Sequence, residues 1–167
     1  IGRAVGERAA AFGMEVVAAG RGPAHPQPER LSEEPPRMRR VTLDELLVTS
    51  DVVSLHVPLS AATRHLIDRR ALARMKRTAL LINAARGPVV DEAALAWALR
   101  ERLIAGAALD VYEREPAVER ELLELEQVVL APHLGSATRD TRTAMAELAA
   151  ANAVAVLGGQ PPLTPVA

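Results

Sequence analysis

The chain has 167 residues, 49% of them hydrophobic, with a single Phe, Trp and Tyr, so one domain with an aliphatic core is expected. A net charge of −1 gives no general attraction to nucleic acid or membrane surfaces, and the absence of cysteine excludes disulfides and thiolate-held metals. No apolar run approaches the roughly 20 residues of a membrane span.

Residues 1–12 read as a helix with no strand before it. Residues 14–19 form a short apolar run and read as a strand, and residues 20–40, rich in proline and arginine, read as a loop. Residues 42–48 read as a short helix, with Asp44 and Glu45 in its first turn, where they suit the helix dipole. A buried strand is predicted over 51–56, closed by Pro58, then a short helix over 68–75 and an apolar strand over 78–84. Asp91 has the character of an N-cap, and Leu95, Leu99 and Leu103 follow at helical spacing. Strands over 104–109 and 127–131 precede a long helix over 138–157. That helix carries Met145, Leu148, Ala149, Asn152 and Val156 on one stripe and ends at Gly158 and Gly159. A proline-rich tail follows. Strands alternating with helices define an α/β chain with a parallel sheet covered on both faces.

Three segments carry the candidate chemistry: NAARG ending near Arg86, ALDVYEREP containing Glu115, and APHLGSAT containing His133. Each sets an ionisable side chain beyond a short apolar run. Parallel strands would deliver all three to the carboxyl edge of the sheet, where open α/β sheets bind ligands. A guanidinium grips a carboxylate through two parallel hydrogen bonds. An imidazole exchanges a proton near neutral pH, and a carboxylate beside it favours its charged form. Singly, each has an ordinary reading: a surface cation, a loop histidine, a member of a solvated acidic run that also holds Glu113. His25, His56 and His65 read as structural or exposed, and no cluster has metal-ligand spacing.

In this order, the segments resemble the D-isomer-specific 2-hydroxyacid dehydrogenase family over nearly the whole chain. AGRGP after the second strand and PHLGSATRDTR near the end make it look most like the glyoxylate/hydroxypyruvate reductases. The resemblance implies a Rossmann-type doubly wound sheet that lacks its first strand and most of its glycine fingerprint. Gly2 matches the third fingerprint glycine. Residues 1–157 would be the nucleotide-binding domain and 158–167 a tail returning to a substrate domain outside this sequence, so the chain alone should turn over little or no substrate.

The resemblance also implies the site. Arg86 would bind the carboxylate of a small 2-keto or 2-hydroxy acid. His133 would exchange the proton at the reacting oxygen, and Glu115 would hydrogen-bond His133. Pro58 and Thr63 would lie along the cofactor, and Asp110 would hold the nicotinamide carboxamide. Ala84 and Gly135 complete the implied cofactor set. NAD enzymes carry an acid at the end of the second strand for the ribose 2′-hydroxyl. Here Arg21 follows Gly20, which favours NADP over NAD. Many family members have glycine where Arg102 stands, so a local change in that turn is expected. The family implies a cytoplasmic enzyme, usually a homodimer. Two alternatives stay open: an NAD-linked dehydrogenase of another acid such as phosphoglycerate, and a non-catalytic dinucleotide-binding module of the corepressor kind.

Overall fold

The computed structural model describes residues 1–20 and 38–165. Helix α1 (Gly2–Ala11) leads to strand β1 (Val17–Ala18), which pairs in parallel with β2 (Arg39–Arg40). Helix α2 (Leu43–Thr49) precedes β3 (Val52–Leu55), and α3 (Arg69–Leu72) precedes β4 (Leu80–Asn83). Helix α4 (Glu92–Arg100) leads to β5 (Gly106–Leu109), followed by β6 (Val128–Leu130) and α5 (Arg139–Leu157). Strands β3 to β6 form one sheet in chain order, every pair parallel. Parallel neighbours need crossovers, and α3 and α4 provide the first two. The α/β, Rossmann-type reading of the sequence therefore holds.

Residues 39–40 differ from expectation: they are a strand, not loop. Their pairing is made by backbone alone. Arg39 N–H donates to the Val16 carbonyl at 3.2 Å and Val41 N–H to the Ala18 carbonyl at 3.0 Å. Two arginines inside a proline-rich stretch carry no apolar alternation that could announce it.

Four helices start at a capping side chain, of which Asp91 alone is expected as a cap from the sequence. Thr42, Asp68, Asp91 and Thr138 each accept a hydrogen bond from a backbone N–H three residues on, filling one of the orphan donors of a first turn. The core is aliphatic: Leu47, Ile67, Leu72, Leu81, Leu95 and Leu99 are all buried. Trp97 sits at its margin, with the Arg69 guanidinium 3.7 Å above the ring centroid.

Helix α4 ends in a Schellman motif. Arg102 N–H donates to the Leu99 carbonyl and Leu103 N–H to the Ala98 carbonyl. Arg102 takes φ 53, the left-handed region where a Cβ costs about 1–2 kcal/mol. The arginine thus adopts the conformation a glycine would take freely. Arg102→Gly should raise stability by about 1 kcal/mol, allowing for glycine's added freedom in the unfolded chain. Urea unfolding of both proteins checks this; a lower midpoint for the glycine variant would refute it.

The described residues fall into two compact units, Ile1–Pro132 and His133–Ala167. The second consists of the His133 segment, α5 and the tail. None of the α5 residues is buried, and Met145, Leu148 and Val156 of the expected apolar stripe are 57%, 47% and 53% exposed. Asn152, on the same stripe, holds the tail instead. Its amide donates to Thr164 Oγ1 at 3.0 Å, and its carbonyl oxygen accepts the Thr164 N–H at 3.1 Å.

Candidate active site

The carboxyl end of β4 shapes the arginine loop. Asn83, the last residue of the strand, is 1% exposed. Its amide donates to the Arg86 carbonyl at 3.0 Å, and its side-chain oxygen accepts the Ala85 N–H at 3.1 Å. A buried amide satisfied on both ends fixes the turn it spans. Arg86 is left exposed at the tip, with Nη1 donating to the Ala85 carbonyl at 2.7 Å. Gly87 then opens a short 3-10 turn, Gly87–Val89. Its Cα faces the next loop so closely that a Cβ would lie 1.8 Å from the Tyr112 carbonyl oxygen.

Arg86 lines a concavity of about 470 Å³ with His56, Pro58, Ala84 and neighbouring residues. Gly2, at the start of α1, abuts the same wall: a Cβ there would come within 2.9 Å of the His56 Cβ. His56 Nε2 lies 2.9 Å from Ser54 Oγ. Burial, the larger cause, lowers the pKa of His56 below its ordinary value. Thr63 braces the loop after β3: its hydroxyl donates to the Pro58 carbonyl at 2.6 Å and accepts the Ser60 N–H at 2.8 Å.

The loop after β5 carries the carboxylates. Asp110 N–H donates to the Asn83 carbonyl at 2.9 Å, extending the β4–β5 ladder by one residue. Tyr112 is buried, and its hydroxyl donates to the Ala131 carbonyl at 2.7 Å, tying this loop to the end of β6. Burial raises the pKa of that phenol. Glu115 is exposed, with Oε1 accepting the Tyr112 N–H at 3.1 Å. Glu92, 4% exposed at the start of α4, has its carboxyl pushed above the usual range, chiefly by burial.

His133 opens the second unit. It is exposed, takes φ 56, and lines a concavity of about 470 Å³ with Ser136, Arg142 and Met145. A non-glycine residue in the left-handed region is uncommon, and such strain concentrates at functional sites. Gly135 follows in the same segment and is also exposed.

Of the residues expected at a site, Pro58, Ala84 and Arg86 share one concavity, with Gly2 against its His56 wall. Asp110 and Glu115 stand on the adjacent loop. Arg21 lies outside the described residues, as does His25. Reading the sequence missed Asn83, Tyr112 and Glu92, and gave His56 no place in the pocket. Asn83 was the most legible of these, as the one strong polar residue in the run ALLINAA. Among the described residues no cluster of His, Asp and Glu could hold a metal, and no helix is long and apolar enough to cross a membrane.

An open parallel sheet with a ligand-sized concavity at its carboxyl edge and a helix N-terminus against the wall defines a nucleotide-binding α/β domain. Residues 1–135 match the family described as D-isomer specific 2-hydroxyacid dehydrogenase, NAD binding domain, and the chain belongs to that family. It is 56% identical over 128 residues to a glyoxylate reductase of Thermofilum pendens, covering 76% of this chain and 38% of that protein. It is 48% identical over 162 residues to the glyoxylate reductase of Thermococcus litoralis, covering 97% of this chain and 47% of the relative. The chain thus spans about half, or less, of the length of these curated relatives. Among solved structures it superposes on an NADPH-dependent glyoxylate/hydroxypyruvate reductase of Sinorhizobium meliloti, in complex with NADP and malonate. The TM-score is 0.87 at 36% identity, over 100% of this chain and 50% of that one.

Proposed function

We propose that this chain carries the nucleotide-binding and catalytic portion of an NADP-preferring reductase of small 2-keto acids, with glyoxylate or hydroxypyruvate as substrate. The observation that carries the reading is the concavity that Arg86 shares with Pro58, Ala84 and the His56 wall at the carboxyl edge of the sheet. The close approach of Gly2 to His56 fits the third fingerprint glycine, which lets helix and strand pack closely. The nicotinamide cofactor, when bound, supplies the hydride. Arg86, exposed at the loop tip, is free to turn its guanidinium from the Ala85 carbonyl to a substrate carboxylate. His133 is assigned the proton that the reduced oxygen takes up, a role suited to an exposed imidazole on a strained backbone. Glu115 keeps the part its motif implies, favouring the protonated imidazole. The malonate in the Sinorhizobium meliloti relative supports a carboxylate site in this fold. A homodimer and a cytoplasmic setting complete the proposal.

The NADP preference rests on Arg21. Because the chain matches only part of its relatives' length, the test uses this chain joined behind the N-terminal half of the Thermococcus litoralis reductase. Arg21→Asp should weaken NADPH binding about tenfold or more, the worth of a charge-assisted hydrogen bond, and leave NADH within about twofold. Fluorescence titration of both cofactors measures it. Equal weakening of the two would remove Arg21 from the 2′-phosphate site.

A further inference from the structure

We propose that Glu113 is a positioning residue: it fixes the loop carrying Arg86 against the loop carrying Glu115, and so sets the substrate-binding geometry without touching substrate. The inference rests on the roles proposed above for those two residues. From the sequence, Glu113 reads as one more solvated acid beside Glu115. The structure separates them. Glu115 is exposed and accepts the local Tyr112 N–H, whereas the Glu113 side chain is 19% exposed and stands where three chain segments meet.

The first segment follows β3. His65 Nε2 lies 2.6 Å from Glu113 Oε1, and the Arg64 guanidinium lies 3.8 Å from the same oxygen. His65 also takes a left-handed backbone, φ 50, which is uncommon outside glycine. That twist turns its N–H to the Pro88 carbonyl at 2.8 Å, so this residue is bound to the arginine loop as well. The second segment is the start of α4. Glu92 N–H donates to Glu113 Oε2 at 3.4 Å, and Glu113 N–H donates to Glu92 Oε1 at 2.7 Å. This reciprocal pair joins a helix start shortly after Arg86 to the residue two before Glu115. It resembles a capping box made between distant parts of the chain. The third segment is the Glu113 loop itself, whose Tyr112 carbonyl touches Gly87.

These contacts have different consequences. The Gly87 approach is a contact of surfaces, which sets the distance between the loops and not their register. Hydrogen bonds are directional, and those at Glu113 fix the register. His65 and Arg64 both reach Oε1 while the Glu92 N–H reaches Oε2, so the carboxylate is held between the segment after β3 and the N-terminus of α4. A shift of about 1 Å between catalytic loops is enough to cost up to about a hundredfold in rate.

The test is steady-state kinetics with glyoxylate and NADPH on the full-length hybrid enzyme described above. Glu113→Ala is expected to raise the KM for glyoxylate and lower kcat, each about tenfold, with the NADPH dissociation constant within about twofold of wild type. Glu113→Gln keeps the shape and an acceptor oxygen, and should restore both constants to within about threefold. His65→Asn tolerates the left-handed backbone and removes a single arm. It is expected to raise KM by an intermediate factor, and it carries the test if Glu113→Ala does not fold. Variants that lower the melting temperature but leave kcat and KM unchanged would overturn the proposal and make Glu113 a purely structural residue. If the unsubstituted enzyme shows no turnover that depends on Arg86, the proposed roles of Arg86 and Glu115 fail, and this inference fails with them.

Discussion

Gly87→Ala should be the most damaging glycine-to-alanine change among the described residues, costing about 3 kcal/mol or more. A Cβ at Gly87 would lie 1.8 Å from the Tyr112 carbonyl oxygen, 1.9 Å from its carbon and 2.5 Å from the Glu113 nitrogen. All three are backbone atoms, so no side chain can swing aside. Relief requires separating the loops, and that breaks the Glu92–Glu113 pair and disturbs the Asp110–Asn83 bond that extends the sheet. Gly20→Ala is the matched control: among the described residues its Cβ would meet only Arg40 Nη2, at 3.7 Å, an ordinary contact. Urea unfolding of the isolated chain decides the matter. A Gly87→Ala midpoint equivalent to a loss under about 1 kcal/mol would show that the two loops are not clamped as described.

Arg86→Ala should lower kcat/KM for glyoxylate by about a thousandfold in the hybrid enzyme while the fold is kept. Loss of a bidentate, charge-assisted pair with a carboxylate accounts for a few kcal/mol, and each 1.4 kcal/mol is tenfold. The side chain is exposed, and the hydrogen bonds shaping its loop run through Asn83 to backbone atoms of Ala85 and Arg86. Those bonds survive the substitution, so stability should change by less than about 0.5 kcal/mol. Arg86→Lys keeps the charge and loses the planar fork, and should fall between the two. Kinetics with each variant, beside a melting curve, separates binding from folding. An Arg86→Ala enzyme within about threefold of the original would place the carboxylate elsewhere.

The sheet was legible in the sequence because its strands are apolar runs alternating with helical patterns. Four strands were found within a few residues of their observed ends, and Asp91 was recognisable as the cap of α4. Strand β2 was not, since Arg39 and Arg40 pair through their backbones and their side chains follow no pattern. The exposure of the α5 stripe was equally hidden: periodicity says which residues share a face, not what covers it. At the site, Arg86 stood out only together with Glu115 and His133, in the order of the family's motifs; singly it reads as a surface cation. Asn83, Tyr112 and Glu113 did not stand out, since their importance lies in partners far along the chain. Tyr112 reaches Ala131, and Glu113 reaches His65 and Glu92. Such pairings depend on strand order, which no local spacing reveals. Arg102 takes the left-handed backbone and the turn carries the Schellman hydrogen bonds, a geometry that the residue type does not announce.

The most direct test of the account is the loss of reduced-nicotinamide absorbance when the hybrid enzyme is given NADPH and glyoxylate. Turnover that Arg86→Ala abolishes is the predicted result. A folded hybrid that binds NADPH yet reduces neither glyoxylate nor hydroxypyruvate would contradict it, leaving a domain that holds a dinucleotide without performing the proposed reduction.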